Sequence, residues 1–350
     1  MGSRSRPPRP RRTGRRHGWV GLSDAALLEV RFCDLGLVLE RSPLARHVKQ
    51  LYAELARRGI TFRPHCWLGD EWFTPDGVPG FALPFFLAHP RLRRLERHMR
   101  QEVEGGNRNW LMRIMRHEAG HALDNAYRLR RRRQWRETFG PASLPYPDSY
   151  RPRPSSRRYV QHLGSWYAQS HPTEDFAETF AVWLKPASRW RHHYADWPAL
   201  GKLEFVDALM REIGGRPPPV RTRAHVDSLA HDTRTLRQHY DAVLTRYAPP
   251  SRREGDELLE RVFVRAAPKR GLKAATFLRR RRTQLRAAIA ARVECSEYLI
   301  HQGLRAAIRR CEELGLYVAG DRRRARRHAE WLLRRLVSAL ARSAGSRLRL

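Results

Sequence analysis

"RHEAGHALDNAY" (residues 116–127) sets His117 and His121 four residues apart, with Glu118 directly after the first. On an α-helix, positions i and i+4 project from one face, so the two imidazoles can grip a single ion. Imidazole nitrogen suits Zn2+, and Glu118 points beside such an ion, where it can take a proton from water. With 16 histidines and 21 glutamates in 350 residues, chance gives about 0.04 occurrences of this spacing. Leu111, Ile114, Met115, Ala122 and Leu123 supply an apolar face beside the histidines, so the pair is expected to face a core rather than solvent. The spacing predicts a helix from about Asn109 to at least Arg131.

A catalytic zinc site needs three protein ligands and an open position. The metzincin arrangement would need glycine and histidine where this chain has Asp124 and Tyr127, which excludes it. A gluzincin arrangement takes a glutamate from a later helix, with another acid four residues on. "WYAQSHPTEDFAETFAVWL" (166–184) supplies Glu174 and Glu178 at that spacing, with Phe176, Phe180, Val182 and Leu184 for packing. Thr173 can cap this helix, and Glu174 in its first turn suits the helix dipole. Glu174 then reads as the third ligand. Glu178 reads as a carboxylate that receives the outer N–H of a ligand histidine and fixes its tautomer. The spacing alone also allows the reversed assignment, with Glu178 on zinc, or two glutamates on an ordinary solvated stripe. His162 and His171 are further ligand candidates by their nearness in sequence.

Outward from these two segments, "SPLARHVKQLYAELARRG" (42–59) predicts a helix that Ser42 can cap and Gly59 stops. "ALLEVRFCDLGLVLE" (26–40) reads as one or two strands. "ITFRPHCWLGDEWFTPDGVPGFALPFFLAH" (60–89) reads as strand, turn, strand, and Pro84 puts its last strand on a sheet edge, where an extended peptide could pair. A helix is expected over 90–104, a long Pro/Ser/Tyr loop over 139–159, and helices over 172–184 and 197–215. The "RPPP" at 216–219 reads as an internal linker, followed by helical patterns alone. The expected organisation is a disordered basic tail over 1–20, a catalytic domain over 21–215, a linker over 216–222 and a basic helical region over 223–350.

The formal net charge is +34, carried by 64 arginines and only 5 lysines. Such an imbalance fits GC-rich coding as well as it fits phosphate contacts. The excess lies at the ends: residues 1–20 hold seven arginines and no acid, and residues 251–350 hold 26 basic and 10 acidic side chains. Runs such as "FLRRRRTQLR" (277–286) could bind nucleic acid or another polyanion. Cys33, Cys66, Cys295 and Cys311 lack metal-ligand spacing and read as reduced thiols. No run approaches the roughly 18 apolar residues of a membrane span, and no leader pattern is found. A cytoplasmic protein is expected.

The segments "MRHEAGHALDNAYRL", "RRRQWRETFG", "YPDSYRPRP" and "WYAQSHPTEDFAETFAVWL" resemble those of bacterial zinc-binding metallopeptidases, from about residue 25 to 215. More distantly, HEAGHALD and the spacing from Tyr167 to Glu174 to Glu178 are similar to lethal-factor-type peptidases. That resemblance implies a ligand role for Glu174, a supporting role for Glu178 and a catalytic role for Tyr167. The implied fold is α+β: a zincin-like domain with a small mixed sheet, whose edge strand lies beside the HExxH helix, followed by a helical C-terminal region. The implied activity is hydrolysis of a peptide or protein substrate, with Glu118 as general base. The competing expectation is a nucleic-acid-binding or DNA-associated protein with a structural or vestigial zinc site.

Overall fold

The computed structural model describes residues 17–100, 103–147, 150, 153, 155–246, 252–265, 271–290, 297–319 and 322–345. The segment read as strands is instead a chain of short helical turns: α1 (Asp24–Leu28), then 3-10 turns at Phe32–Leu35 and Leu39–Arg41. Ser23 caps α1 by accepting from the Ala26 amide, and Gly36 adopts φ 57° to end the next turn. Each turn buries its own residues, among them Leu27, Phe32, Leu35 and Leu39. A short apolar run carries no period long enough to separate such turns from a strand.

Helix α2 (Ala45–Arg57) buries Val48, Leu51 and Leu55 along one face. Two short strands follow, β1 (His65–Gly69) and β2 (Gly80–Pro84), paired in parallel from His65↔Gly80 to Gly69↔Pro84. The intervening loop returns along the far side of β2, where Phe73 bridges Ala82 antiparallel, so the small sheet has mixed pairing. The Ala82 amide is engaged by the Phe73 carbonyl, and every residue of β2 is buried. The edge expected over Gly80–Leu87 is therefore covered at its centre, and beyond Pro84 the chain becomes a 3-10 turn, Phe85–Ala88.

Helices α3 (Pro90–Arg100), α4 (Arg108–Tyr127), α5 (Arg133–Phe139), α6 (Pro172–Leu184), α7 (Trp190–His193), α8 (Ala199–Ile213) and α9 (Leu236–Arg246) complete the first body. Asn107 caps α4 by accepting from the Trp110 amide. The helix stops at Arg128, which turns left-handed at φ 54°, so Leu129–Arg131 form a separate 3-10 turn. One apolar core, from Trp19 to Tyr240, gathers these elements, with α4 and α6 packed on one another. Leu229, Leu236 and Tyr240 belong to it, so chain beyond the proline-rich 216–219 stretch still feeds this core. That stretch is itself held beside the end of α4: Tyr127 donates to the Arg216 carbonyl, and the Val220 amide donates to Ala126. At the N-terminal end most of the basic tail lies outside the described residues. Trp19 is buried and donates to the Leu35 carbonyl at 2.9 Å.

A second core forms among α10 (Arg252–Glu260), α11 (Ala274–Arg280), α12 (Arg282–Ala290), α13 (Glu297–Glu313) and α14 (Arg322–Gly345). It is not wholly helical. β3 (Phe263–Val264) and β4 (Tyr317–Val318) pair antiparallel within it. Cys33, Cys66 and Cys311 are free thiols, and Cys295 lies outside the described residues. Among the described residues, no helix is long and apolar enough to cross a membrane.

Candidate metal centre

The centre depends on how closely α4 and α6 approach. Gly120 sits between His117 and His121, and Ala177 sits between Glu174 and Glu178. A Cβ built on Gly120 would lie 3.0 Å from the Ala177 Cα and 3.2 Å from the Phe180 ring. The missing side chain lets the two backbones meet there, and that contact brings both histidines against Glu174 and His117 against Glu178. Arg116 fixes α4 from the other side through a buried two-pronged pair with Glu54, at 2.7 and 2.9 Å.

Three donor atoms converge where the helices cross. His117 Nε2 lies 3.1 Å from His121 Nε2 and 3.1 Å from Glu174 Oε2, and His121 Nε2 lies 3.2 Å from the same oxygen. Ligand atoms bound at 2.0–2.1 Å to a tetrahedral zinc stand roughly 3.3 Å from one another, so this triangle fits the ion. His117 Nδ1 is engaged by Glu178 Oε1 at 2.9 Å, so Nε2 is the nitrogen turned to the triangle. Burial opposes charge on His117, yet its contacts with Glu174 and Glu178 hold it well above the usual imidazole range. Burial likewise opposes charge on Glu174, and the two histidines outweigh it and hold the carboxyl well below its usual range. The pocket favours positive charge at its centre. His121 is the member that reaches solvent, with 13 % of its side chain exposed against 0 % for His117.

Residues 93–191 match the model of a family described as "Putative zinc-binding metallo-peptidase". The matched span holds the whole donor triangle together with Glu118 and Glu178. No curated protein and no solved structure matches the chain.

Glu118 is 2 % exposed. Its Oε2 accepts from the Thr74 hydroxyl at 2.6 Å, and its buried Oε1 has no hydrogen-bond partner. A buried carboxylate oxygen with no partner is uncommon in a folded chain. Thr74 lies outside the matched span, on the loop between β1 and β2, and the tail of the α4 motif holds that loop. Asn125 donates to the carbonyls of Pro75 and Val78 at 2.9 and 3.0 Å. Arg130 binds Asp124, Asp76 and the Asn125 side-chain oxygen. Sequence reasoning missed this group. The asparagine and aspartate after HEAGHAL were visible, but nothing in the chain paired them with a loop about 50 residues upstream.

Two tyrosines approach from the chain between α5 and α6. Tyr167 lies in a 3-10 turn, Gly164–Gln169, with its ring 5.7 Å from that of His117. Burial, followed by the charge of Glu174, pushes its hydroxyl well up. The turn hangs on Glu178, whose Oε2 accepts from the Leu163 amide at 2.8 Å, and it contains Trp166 at φ 52°. A bulky left-handed residue costs on the order of 1–3 kcal/mol and persists only where its surroundings enforce it. Tyr146 is nearer by its polar atom, since its hydroxyl donates to Glu174 Oε1 at 2.8 Å and lies 2.5 Å from the Thr173 hydroxyl. No role was expected for Tyr146, although it opens the "YPDSYRPRP" segment; residues 148, 149, 151, 152 and 154 of that segment lie outside the described residues.

The two spare histidines are engaged elsewhere. His171, rather than Thr173, caps α6; it contacts the Leu144 carbonyl at 2.8 Å and stacks on Tyr146 at 3.9 Å. His162 contacts the Arg113 carbonyl at 2.9 Å, and burial pushes its pKa down to about 4.

Proposed function

We propose that this chain is a zinc-dependent peptidase of gluzincin type, with His117, His121 and Glu174 as metal ligands and Glu118 as general base. The observation that carries the reading is the triangle of Nε2, Nε2 and Oε2 atoms, 3.1–3.2 Å apart, beside a buried glutamate with one unengaged oxygen. When bound, zinc supplies a positive centre that polarises a peptide carbonyl and makes water a better nucleophile near neutral pH. Glu118 takes the proton of that water on Oε1 and delivers it to the departing amine, while Thr74 steadies Oε2. Glu178 keeps the proton of His117 on Nδ1, so that Nε2 remains a ligand. Tyr167, its ring tilted beside that of His117, donates its hydroxyl to the oxygen that gains charge in the transition state.

The test combines metal analysis with a peptide library. Glu118→Gln should retain about one zinc per chain and lose cleavage by roughly 10^2- to 10^4-fold. His117→Ala should lose both. The peptidase reading fails if the purified protein binds no zinc, or if Glu118→Gln cleaves as well as the parent. Function that persists through both substitutions would favour the nucleic-acid-binding alternative.

A further inference from the structure

A concavity of about 470 Å³ in the second body is lined by Arg279, Arg282, Arg286, Arg305 and Arg309, with Glu312 the one carboxylate among its described lining residues. The arginines come from three helices. Arg282 and Arg286 form an i, i+4 pair on α12, Arg305 and Arg309 form another on α13, and Arg279 joins from the end of α11. Glu312 is already paired with Arg279 at 2.6 Å. Like charges four apart oppose helix formation by a few tenths of a kcal/mol per pair. The packing does not require this arrangement, because Leu285, Ile289, Leu304 and Ala307 fill the core behind. Leu304 and Ile308 supply the apolar part of the lining, and no aromatic ring is among the described lining residues.

We propose that this concavity binds a compact cluster of phosphate groups. Guanidinium presents paired N–H donors that match phosphate oxygens, and several such forks converging on a concave surface focus positive potential into it. The volume suits two or three linked phosphates. The described lining offers no aromatic platform of the kind that reads single strands by stacking bases. Free polyphosphate and the phosphorylated end of a larger molecule share this chemistry.

Calorimetric titration of the full-length protein with inorganic tripolyphosphate tests the assignment. One equivalent should bind. The triple variant Arg282→Gln/Arg305→Gln/Arg309→Gln should weaken binding by at least about thirtyfold, since removing one charge-assisted hydrogen bond weakens binding by about tenfold. A control triple, Arg261→Gln/Arg327→Gln/Arg334→Gln, removes the same charge from exposed positions outside the concavity and should bind within about twofold of the parent. If the pocket triple fails to fold by circular dichroism, Arg305→Gln alone should still show a loss of about tenfold. Equal weakening by both triples overturns the proposal, as does the absence of tripolyphosphate binding below about 1 mM. A 5′-phosphorylated oligonucleotide that tripolyphosphate displaces would place the phosphate cluster on a strand end. An oligonucleotide whose affinity grows with length and resists tripolyphosphate would replace the compact site with general strand binding and overturn it.

Discussion

Arginine ends on carboxylates in both hydrophobic bodies, but the second also gathers arginines around a concavity. Around the first core it ends on carboxylates: Arg116 on Glu54, Arg130 on Asp124 and Asp76, Arg191 and Arg211 on Asp207, and Arg234 on Asp70 and Asp232. Several of these pairs tie distant segments together, as Arg116 ties α4 to α2 across 62 residues. In the second body Arg310 ends on Asp256 and Glu313 in the same way, while five other arginines, Arg279 among them already on Glu312, line one concavity. The formal charge of +34 therefore mixes two populations, one used as struts between segments and one gathered on the wall of a concavity. Net charge by itself distinguishes neither.

The sharpest way to break this comparison is to neutralise one arginine from each population. Arg116→Gln leaves Glu54, 2 % exposed, as an unpaired buried charge and should cost about 3–5 kcal/mol by urea unfolding. Arg305→Gln, at an exposed position, should change stability by no more than about 0.5 kcal/mol. Equal effects would erase the distinction between strut and surface arginine.

A second effect belongs to the first body alone. His162 has a folded pKa of about 4, lowered from 6.5 by burial, so its neutral form is the one the fold accepts. Its contribution is fully present above pH 6.5 and is lost as pH falls toward 4, on the order of 3 kcal/mol across that window. Comparing the parent with His162→Asn by denaturation at each pH isolates this slope. A variant with the same pH dependence would show that His162 titrates normally.

The helix crossing supplies a third, smaller effect. Gly120→Ala places a methyl 3.0 Å from the Ala177 Cα, so α4 and α6 must separate, at a cost of about 1–3 kcal/mol and with weaker zinc binding. Gly201, where an added Cβ meets nothing within 4 Å, is the matched control, and Gly201→Ala should be neutral or slightly stabilising. Smallest is the outer carboxylate. Glu178→Gln should lower zinc affinity by about 10- to 100-fold in a chelator competition while the fold persists. A zinc affinity unchanged in Glu178→Gln would show that the His117 tautomer is set by something else.

Legibility followed distance along the chain. The helix over 172–184 and the donor spacing within each helix were readable because a helical face is a local property. The turns at 26–40 were not, since each is too short to show a period. Thr74, 44 residues from Glu118, and Tyr146, 28 residues from Glu174, became visible only through side-chain contacts in the folded chain. Residues 116–127 and 174–178 by themselves determined which side chains share a helical face, and so which could meet at one ion. Tertiary structure decided the rest. Gly120 against Ala177 sets how closely the two faces approach, and Asn125 and Arg130 hold the loop that brings Thr74 to Glu118. Those placements depend on long-range hydrogen bonds and backbone contact, which spacing along a sequence does not encode.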